Sequence, residues 1–313
     1  MATLSILWVI GAYVLTFSKL ADCATWAEWW TYDRTSLSGP ENWGKVNAEW
    51  SICLKGNKQS PINIRTKDLL YDPNLRRFHV SRHRVNASMQ NNGHFVHITI
   101  DSSSKHLVNI SGGPLQYHYH VSDIVIHFGE TNSEGSEHSI DGRFHSGEIQ
   151  IIGWNSDIYS NATEALGSSN GLAVIALLMK VAEPINIEFD VISNFFSRVK
   201  YKGQKEHIRG LSIAELLPAS SEFMTYEGSL TYPGCQETVT WIIPNQPFHV
   251  SQKDLDFLRE LKIGTSDKVI QPMVNNIRPV NPLNHRTVRT NINFRNVSSG
   301  CTMEATTFYE VNF

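Results

Sequence analysis

A mainly β fold of the α+β class, built as one domain, is what this 313-residue sequence predicts. Three observations carry that expectation. The apolar runs are short and rich in β-branched and aromatic residues. Clusters of Gly, Pro, Ser and Asn separate them, such as SGGP at Ser111 to Pro114 and SSNG at Ser168 to Gly171. No internal repeat, low-complexity linker or composition break divides the chain, so one sheet-dominated core follows. In chain order the runs that read as strands are His94 to Ile100, Asp123 to Gly129, Gly147 to Trp154, Gly171 to Val181 and Thr238 to Pro244. Helices are few and short. Ser212 to Leu217 opens on a Ser with Glu215 three residues later, a capping-box pattern. Ser251 to Leu261 puts Leu255, Leu258 and Leu261 on one helical face behind another Ser cap. The domain is expected over residues 24–295, between a leader at 1–23 and a polar tail at 296–313.

The net charge of -3 gives no support to a nucleic-acid partner, which calls for a basic patch. The run Leu4 to Phe17 is apolar and preceded by no basic residue. It is short of the about 20 residues of a bilayer span but suits the core of a signal peptide. Small residues at Ala21 and Cys23 place cleavage near Cys23, and an uncleaved anchor is the alternative. Four Asn-x-Ser/Thr sequons, at Asn86, Asn109, Asn161 and Asn296, fit a secreted glycoprotein. The four cysteines are Cys23, Cys53, Cys235 and Cys301. If Cys23 leaves with the signal, three remain: one pair and one spare thiol in an oxidising compartment.

Candidate metal ligands stand in QYHYHVSDIVIHFG, Gln116 to Gly129, with His118 and His120 two apart and His127 beyond. A His-x-His pair on a strand puts both imidazoles on one face, a common start to a zinc site. Residues 120 and 127 differ by an odd number, so on an unbroken strand His127 points to the other side, and a bulge at Ser122–Asp123 changes that parity. The bland alternative is a pair of partly exposed histidines.

Further stretches occur in one order: GPENWG (Gly39 to Gly44), QSPINI (Gln59 to Ile64), NNGH (Asn91 to His94), SGGPL (Ser111 to Leu115), HFGETNSEGSEHSIDG (His127 to Gly142), GEIQIIGWN (Gly147 to Asn155), YEGSLTYPGC (Tyr226 to Cys235) and NNIRPVNPLN (Asn275 to Asn284). In these the chain resembles the α-class carbonic anhydrases over nearly its whole length. The resemblance implies one domain around a large, twisted, mostly antiparallel sheet of about ten strands, with a conical cleft at its centre. Active members hold zinc with a His-x-His pair at a fixed distance after GGPL and a third His further on. Counted from SGGPL, those positions are Val125, His127 and Gln150 here, so two of three imidazoles are absent. A catalytic zinc needs three protein donors and one open position to ionise its water near neutral pH. Valine has no lone pair, and a neutral amide oxygen competes poorly with imidazole for zinc. The expectation is therefore no zinc and no catalysis, with His94 at a vestigial proton-shuttle position. Glu137 and Thr231 match the pair that orients a zinc-bound hydroxide and would satisfy one another in a buried network. Glu148 matches a carboxylate that orients the third ligand, Asp123 replaces a Gln beside the first, and Tyr232 crowds the substrate pocket.

Within the family the chain is most similar to the zinc-less, secreted carbonic anhydrase-related branch (X/XI-like), through HLVNISGGP, NATEA and RTNINF. That resemblance implies a Cys53–Cys235 disulfide, stabilising by roughly 4 kcal/mol or more in the chain-entropy model. It also implies a binding module for neural, neurexin-like cell-surface partners, with Cys301 as an intermolecular thiol. Pairing of Cys301 with Cys23 or with a second copy stays open. The rival functions are an active zinc hydratase using His118, His120 or Asp123 as substitute ligands, and a structural extracellular glycoprotein.

Overall fold

In the computed structural model, which describes residues 29–104, 106–267 and 271–293, the apolar runs lie side by side in one sheet. Its eight longest strands are β1 (Arg84–Asn91), β2 (Val96–Ile100), β3 (Tyr119–Phe128), β4 (Gly147–Asn155), β5 (Leu172–Val181), β6 (Lys205–Ser212), β7 (Phe223–Gly228) and β8 (Val239–Pro244). Their order across the sheet is β6-β1-β2-β3-β4-β5-β8-β7. Neighbours are antiparallel except β5 and β8, which run parallel. Two- to four-residue strands at Leu70–Tyr71, Phe78–Val80, Asn109–Gly112, Phe248–Val250 and Arg289–Thr290 bring the sheet to thirteen strands among the described residues. Strands that short show no alternation of their own, so they exceed the ten expected. One domain with few short helices results.

β3, β4 and β5 sit at the centre and are buried on both faces, which is why they read as near-continuous apolar runs. Ile124, Ile126 and Phe128 of β3, with Ile149 and Ile151 of β4, join one core that includes Phe189 and Ile192 of the helix Ile187–Ser193 and Leu255 and Leu258 of the helix Gln252–Arg259. Val125, Ile152, Val174, Ala176 and Trp241 face the other way and pack with Tyr32 and Trp43. The candidate site lies on this second face.

Several expectations are corrected in detail. β2 starts at Val96 rather than His94, because the Asn92 side chain accepts the His94 and Phe95 N–H groups at 2.8 and 2.9 Å and holds a turn there. β1, β6 and β7 were not visible as apolar runs, since half of β1 and β6 is polar and open to water. The Ser212 capping box does not form; Ile213–Leu216 is a single 3-10 turn without a side-chain cap. Glu215 is drawn to Arg84 at 2.6 Å and the Ser212 N–H to Glu188 at 2.7 Å, so tertiary partners win. The Ser251 cap is present, completed by Asp254. A bulge at Ser122 is present too: Val121 faces Gly153 while Asp123 faces Ile152, leaving one residue extra on β3.

Cys53 and Cys235 are bonded, with Cα atoms 5.1 Å apart. The leader, Cys23, Asn296 and Cys301 lie outside the described residues. Among the described residues no helix is long and apolar enough to cross a membrane.

Candidate functional site

Three adjacent strands set the floor of the site. His97 of β2 stands opposite Val125 of β3, and Val125 stands opposite Gln150 of β4. One step along, His127 faces Glu148. The side chains of 125, 127, 148 and 150 thus rise from the same sheet face, and all are buried.

His127 donates its Nδ1–H to the Asn276 carbonyl at 2.7 Å. In the neutral ring that leaves Nε2 as a lone-pair nitrogen turned into the site. Nε2 is buried and makes no hydrogen bond; Glu137 Oε2 is 3.4 Å away. Gln150 occupies the space where a further donor would be needed. Its Nε2 donates to Glu137 Oε2 at 2.7 Å and to Glu148 Oε1 at 3.0 Å, and lies 3.4 Å from Thr231 Oγ1. Two carboxyl groups in reach of one amide nitrogen fix which end of the amide faces them.

The two carboxyl groups are held in opposite states. Burial raises Glu137 above the usual carboxylate range, with the nearby Glu148 charge adding to it. The His127 ring and hydrogen bonds from Thr231 and the Arg278 N–H offset this only in part. For Glu148 burial again pushes upward, but the His138 imidazole and its hydrogen bonds outweigh it and hold the carboxyl at about 2. His138 Nδ1 is 2.9 Å from Glu148 Oε1, and the Glu137 and His138 N–H groups donate to Oε2 at 3.0 and 2.8 Å. The network continues from His138 Nε2 to Tyr226 Oη at 2.7 Å and on to Ser60 Oγ at 2.8 Å. Glu137 and Thr231 therefore both lie within reach of the Gln150 amide nitrogen, at 2.7 and 3.4 Å.

Aromatic rings pack around His127 and His94. Tyr32 and Phe95 have centroids 6.1 and 6.0 Å from His127, and Tyr232 is 5.7 Å from Phe95. Trp30 stacks flat on His94 at 3.8 Å. Burial lowers His94 to about 4, helped by the Lys202 charge, so the imidazole is neutral at pH 7. A shuttle works best with a pKa near the working pH, and His94 is far from it. Asp123 meets His97 Nε2 at 2.7 Å; burial would raise it, but this imidazole holds it below its usual range.

The decoy histidines do not join the site. The Ser122 bulge reverses the parity expected for an unbroken strand, so His120 shares the face of Asp123, Val125 and His127. It sits at the far end of β3, edge-on to Trp154, about 20 Å along the strand by its rise per residue. His118 is exposed and 3.0 Å from Asp157. Zinc does not fit these residues. Val125 offers no donor, the Gln150 amide is engaged by Glu137, Glu148 and Thr231, and of these three positions His127 alone offers an imidazole nitrogen. Among the described residues no three His, Cys, Asp or Glu side chains converge on a point.

Sequence reasoning missed His138, Tyr226 and Trp30. His138 follows Glu137 directly, and a buried Glu148 requires a compensating partner, so the first was within reach. Nothing in the sequence marks Trp30 as a stacking partner.

A family model for the eukaryotic-type carbonic anhydrase matches residues 38–292. Carbonic anhydrase-like protein 2 of Caenorhabditis elegans is 37% identical over 273 residues, covering 84% of this chain and 81% of its own. With the sheet and these matches in agreement, the chain belongs to the eukaryotic-type carbonic anhydrase family.

Proposed function

We propose that this chain is a secreted, catalytically inactive carbonic anhydrase-related glycoprotein that serves as a binding module for a neurexin-like cell-surface partner. One observation carries the inactive part: His127 Nε2 is the single metal-competent donor at the zinc position, with Val125 and an N–H-presenting Gln150 beside it. Without three donors no zinc is held, and no water ionises near neutral pH. The carbonic anhydrase-like name of the nematode relative agrees with this reading. The apolar leader and four sequons favour secretion, and Cys301 is the thiol assigned to a mixed disulfide with the partner.

Metal analysis of the purified protein, paired with CO2 hydration, tests the first part. The wild type is expected to hold no stoichiometric zinc and to leave hydration at the uncatalysed rate. Val125→His with Gln150→His supplies the three imidazoles and is expected to recruit zinc. Stoichiometric zinc with hydration in the wild type would overturn the reading, and a double variant blind to zinc would show that the ligand register is wrong. Incubation with a neurexin ectodomain and non-reducing electrophoresis tests the partner. A mixed band that survives Cys301→Ser, or no band with either chain, removes Cys301 from that role.

A further inference from the structure

The edge of the sheet carries a groove of about 520 Å³, whose lining includes the polar Asn86, Ser88, Thr99, Asp101, His207 and Arg209. The register sets its polar residues side by side. Ser88 of β1 stands opposite both His207 of β6 and Thr99 of β2. The alternating Ala87, Ile100 and Ile208 enter the helix-side core, so their polar neighbours line the open face. Beside the groove β6 is the last strand of the sheet, an open edge of the kind proteins commonly cover.

Asn86, the first residue of an Asn-Ala-Ser sequon, stands in the groove wall and is exposed. Its Oδ1 accepts the Gly210 N–H at 3.3 Å, where β6 bulges between Ile208 and Leu211. Gly210 has φ +69°, a conformation glycine adopts without steric cost. That contact orients the amide, and among the described residues Nδ2 has no hydrogen-bond partner. Nδ2 is the atom that carries an N-linked sugar. The other described sequons differ. Asn161 Oδ1 caps the helix Ala162–Leu166 through the Glu164 N–H at 2.9 Å, on an exposed turn. Asn109 is half-buried, and its Oδ1 is buried without a partner.

We propose that an N-linked glycan on Asn86 is seated in this groove and covers the β6–β1 edge. In its formation Nδ2 bonds to the anomeric carbon of a lipid-pyrophosphate-linked oligosaccharide and gives up one proton. The bond from that carbon to the pyrophosphate breaks, and the lipid pyrophosphate leaves with the electron pair. The first sugars then lie over Ser88, Thr99, His207 and Arg209, whose hydroxyl, ring and guanidinium groups suit sugar hydroxyls and an acetamide. The groove volume falls in the ~300–1,000 Å³ range of small-molecule sites. The inference rests on the secreted reading above, which supplies the lipid-linked donor.

The full chain, expressed in secretory cells, is mapped by glycopeptide analysis and then treated, still folded, with a glycoamidase that hydrolyses the Asn–sugar amide bond. Asn86 and Asn161 are both expected to be occupied, with release at Asn86 roughly five- to tenfold slower, the factor one net hydrogen bond confers. His207→Ala with Arg209→Ala, both exposed, is expected to bring the two rates together. If neither Asn86 nor Asn161 is occupied, the secreted reading fails and this inference with it. If Asn161 is occupied and Asn86 bare, or if the wild-type rates match, the secreted reading stands and the seated glycan is wrong.

Discussion

At the scale of single residues, the site is held by a buried polar network. Glu148 accepts from two backbone N–H groups and the Gln150 amide, and meets the His138 ring. An anion buried this far requires such partners, because breaking a buried pair costs about 3–5 kcal/mol. The pH dependence has a definite sign. The folded carboxyl sits at about 2, below its unfolded value of 4.5. Its contribution is therefore complete above pH 4.5 and is lost as pH falls toward 2. A gap of that size is worth on the order of 3 kcal/mol. Glu148→Gln is expected to destabilise by about that much at pH 7 in urea unfolding, and the difference from wild type is expected to shrink by pH 3. A difference that stays constant from pH 7 to pH 3 would contradict the assignment. That Val125 and His127 share a strand face was legible in the sequence, because alternation puts residues two apart on one side. The Tyr226 contact to His138 was not, because 88 residues separate them and only the fold brings them together.

Elements carry a different lesson, that one sequence pattern has two outcomes set by its surroundings. Ser212 and Ser251 are each followed three residues later by an acid, and both read as helix starts. At Ser251 the Asp254 N–H donates to Ser251 Oγ at 3.1 Å, and Asp254 Oδ2 accepts the Ser251 N–H at 2.9 Å. Near Ser212, Arg84 and Glu188 claim the groups that would have closed the box. Ser251→Ala is expected to lower stability by about 1 kcal/mol, the usual worth of an N-cap. Ser212→Ala lacks that contribution, so denaturant unfolding of the two variants checks the distinction; equal losses would refute it. The Ser122 bulge belongs to the same class. Alternation along Asp123 to Gly129 predicts a strand correctly, but alternation alone cannot place one extra residue. The bulge aligns His120 with the site face, and distance along β3 still keeps it out. Central strands were legible because both faces are buried; β1 and β6 were not, because one face of each is polar and open to water.

For the whole molecule, the disulfide and the buried Arg278 join the ends of the fold to the site. Cys53 and Cys235 lie 182 residues apart, so their bond closes most of the domain into one loop. Arg278 donates to the Cys53 and Ser60 carbonyls at 3.0 and 2.8 Å, while its backbone N–H reaches Glu137 Oε1 at 2.8 Å. On the other side of the bond, Gln59 Nε2 donates to the Cys235 carbonyl at 3.2 Å, and Thr231 lies four residues before Cys235. The segment that carries Thr231 is thus anchored to the short helix Ile52–Lys55 rather than to its own strand alone. Closing a loop of this length restricts the unfolded chain by roughly 5 kcal/mol in the chain-entropy model, and losses of about 2–5 kcal/mol are typical when such a bond is removed. Cys53→Ser with Cys235→Ser, changed together so that no lone thiol remains, is expected to lose stability in that range in urea unfolding. The same variant is expected to weaken zinc binding when built on Val125→His with Gln150→His, because the Arg278 and Thr231 supports loosen together. A loss below about 1 kcal/mol would mean that the Arg278 and Gln59 contacts hold the two segments without the bond.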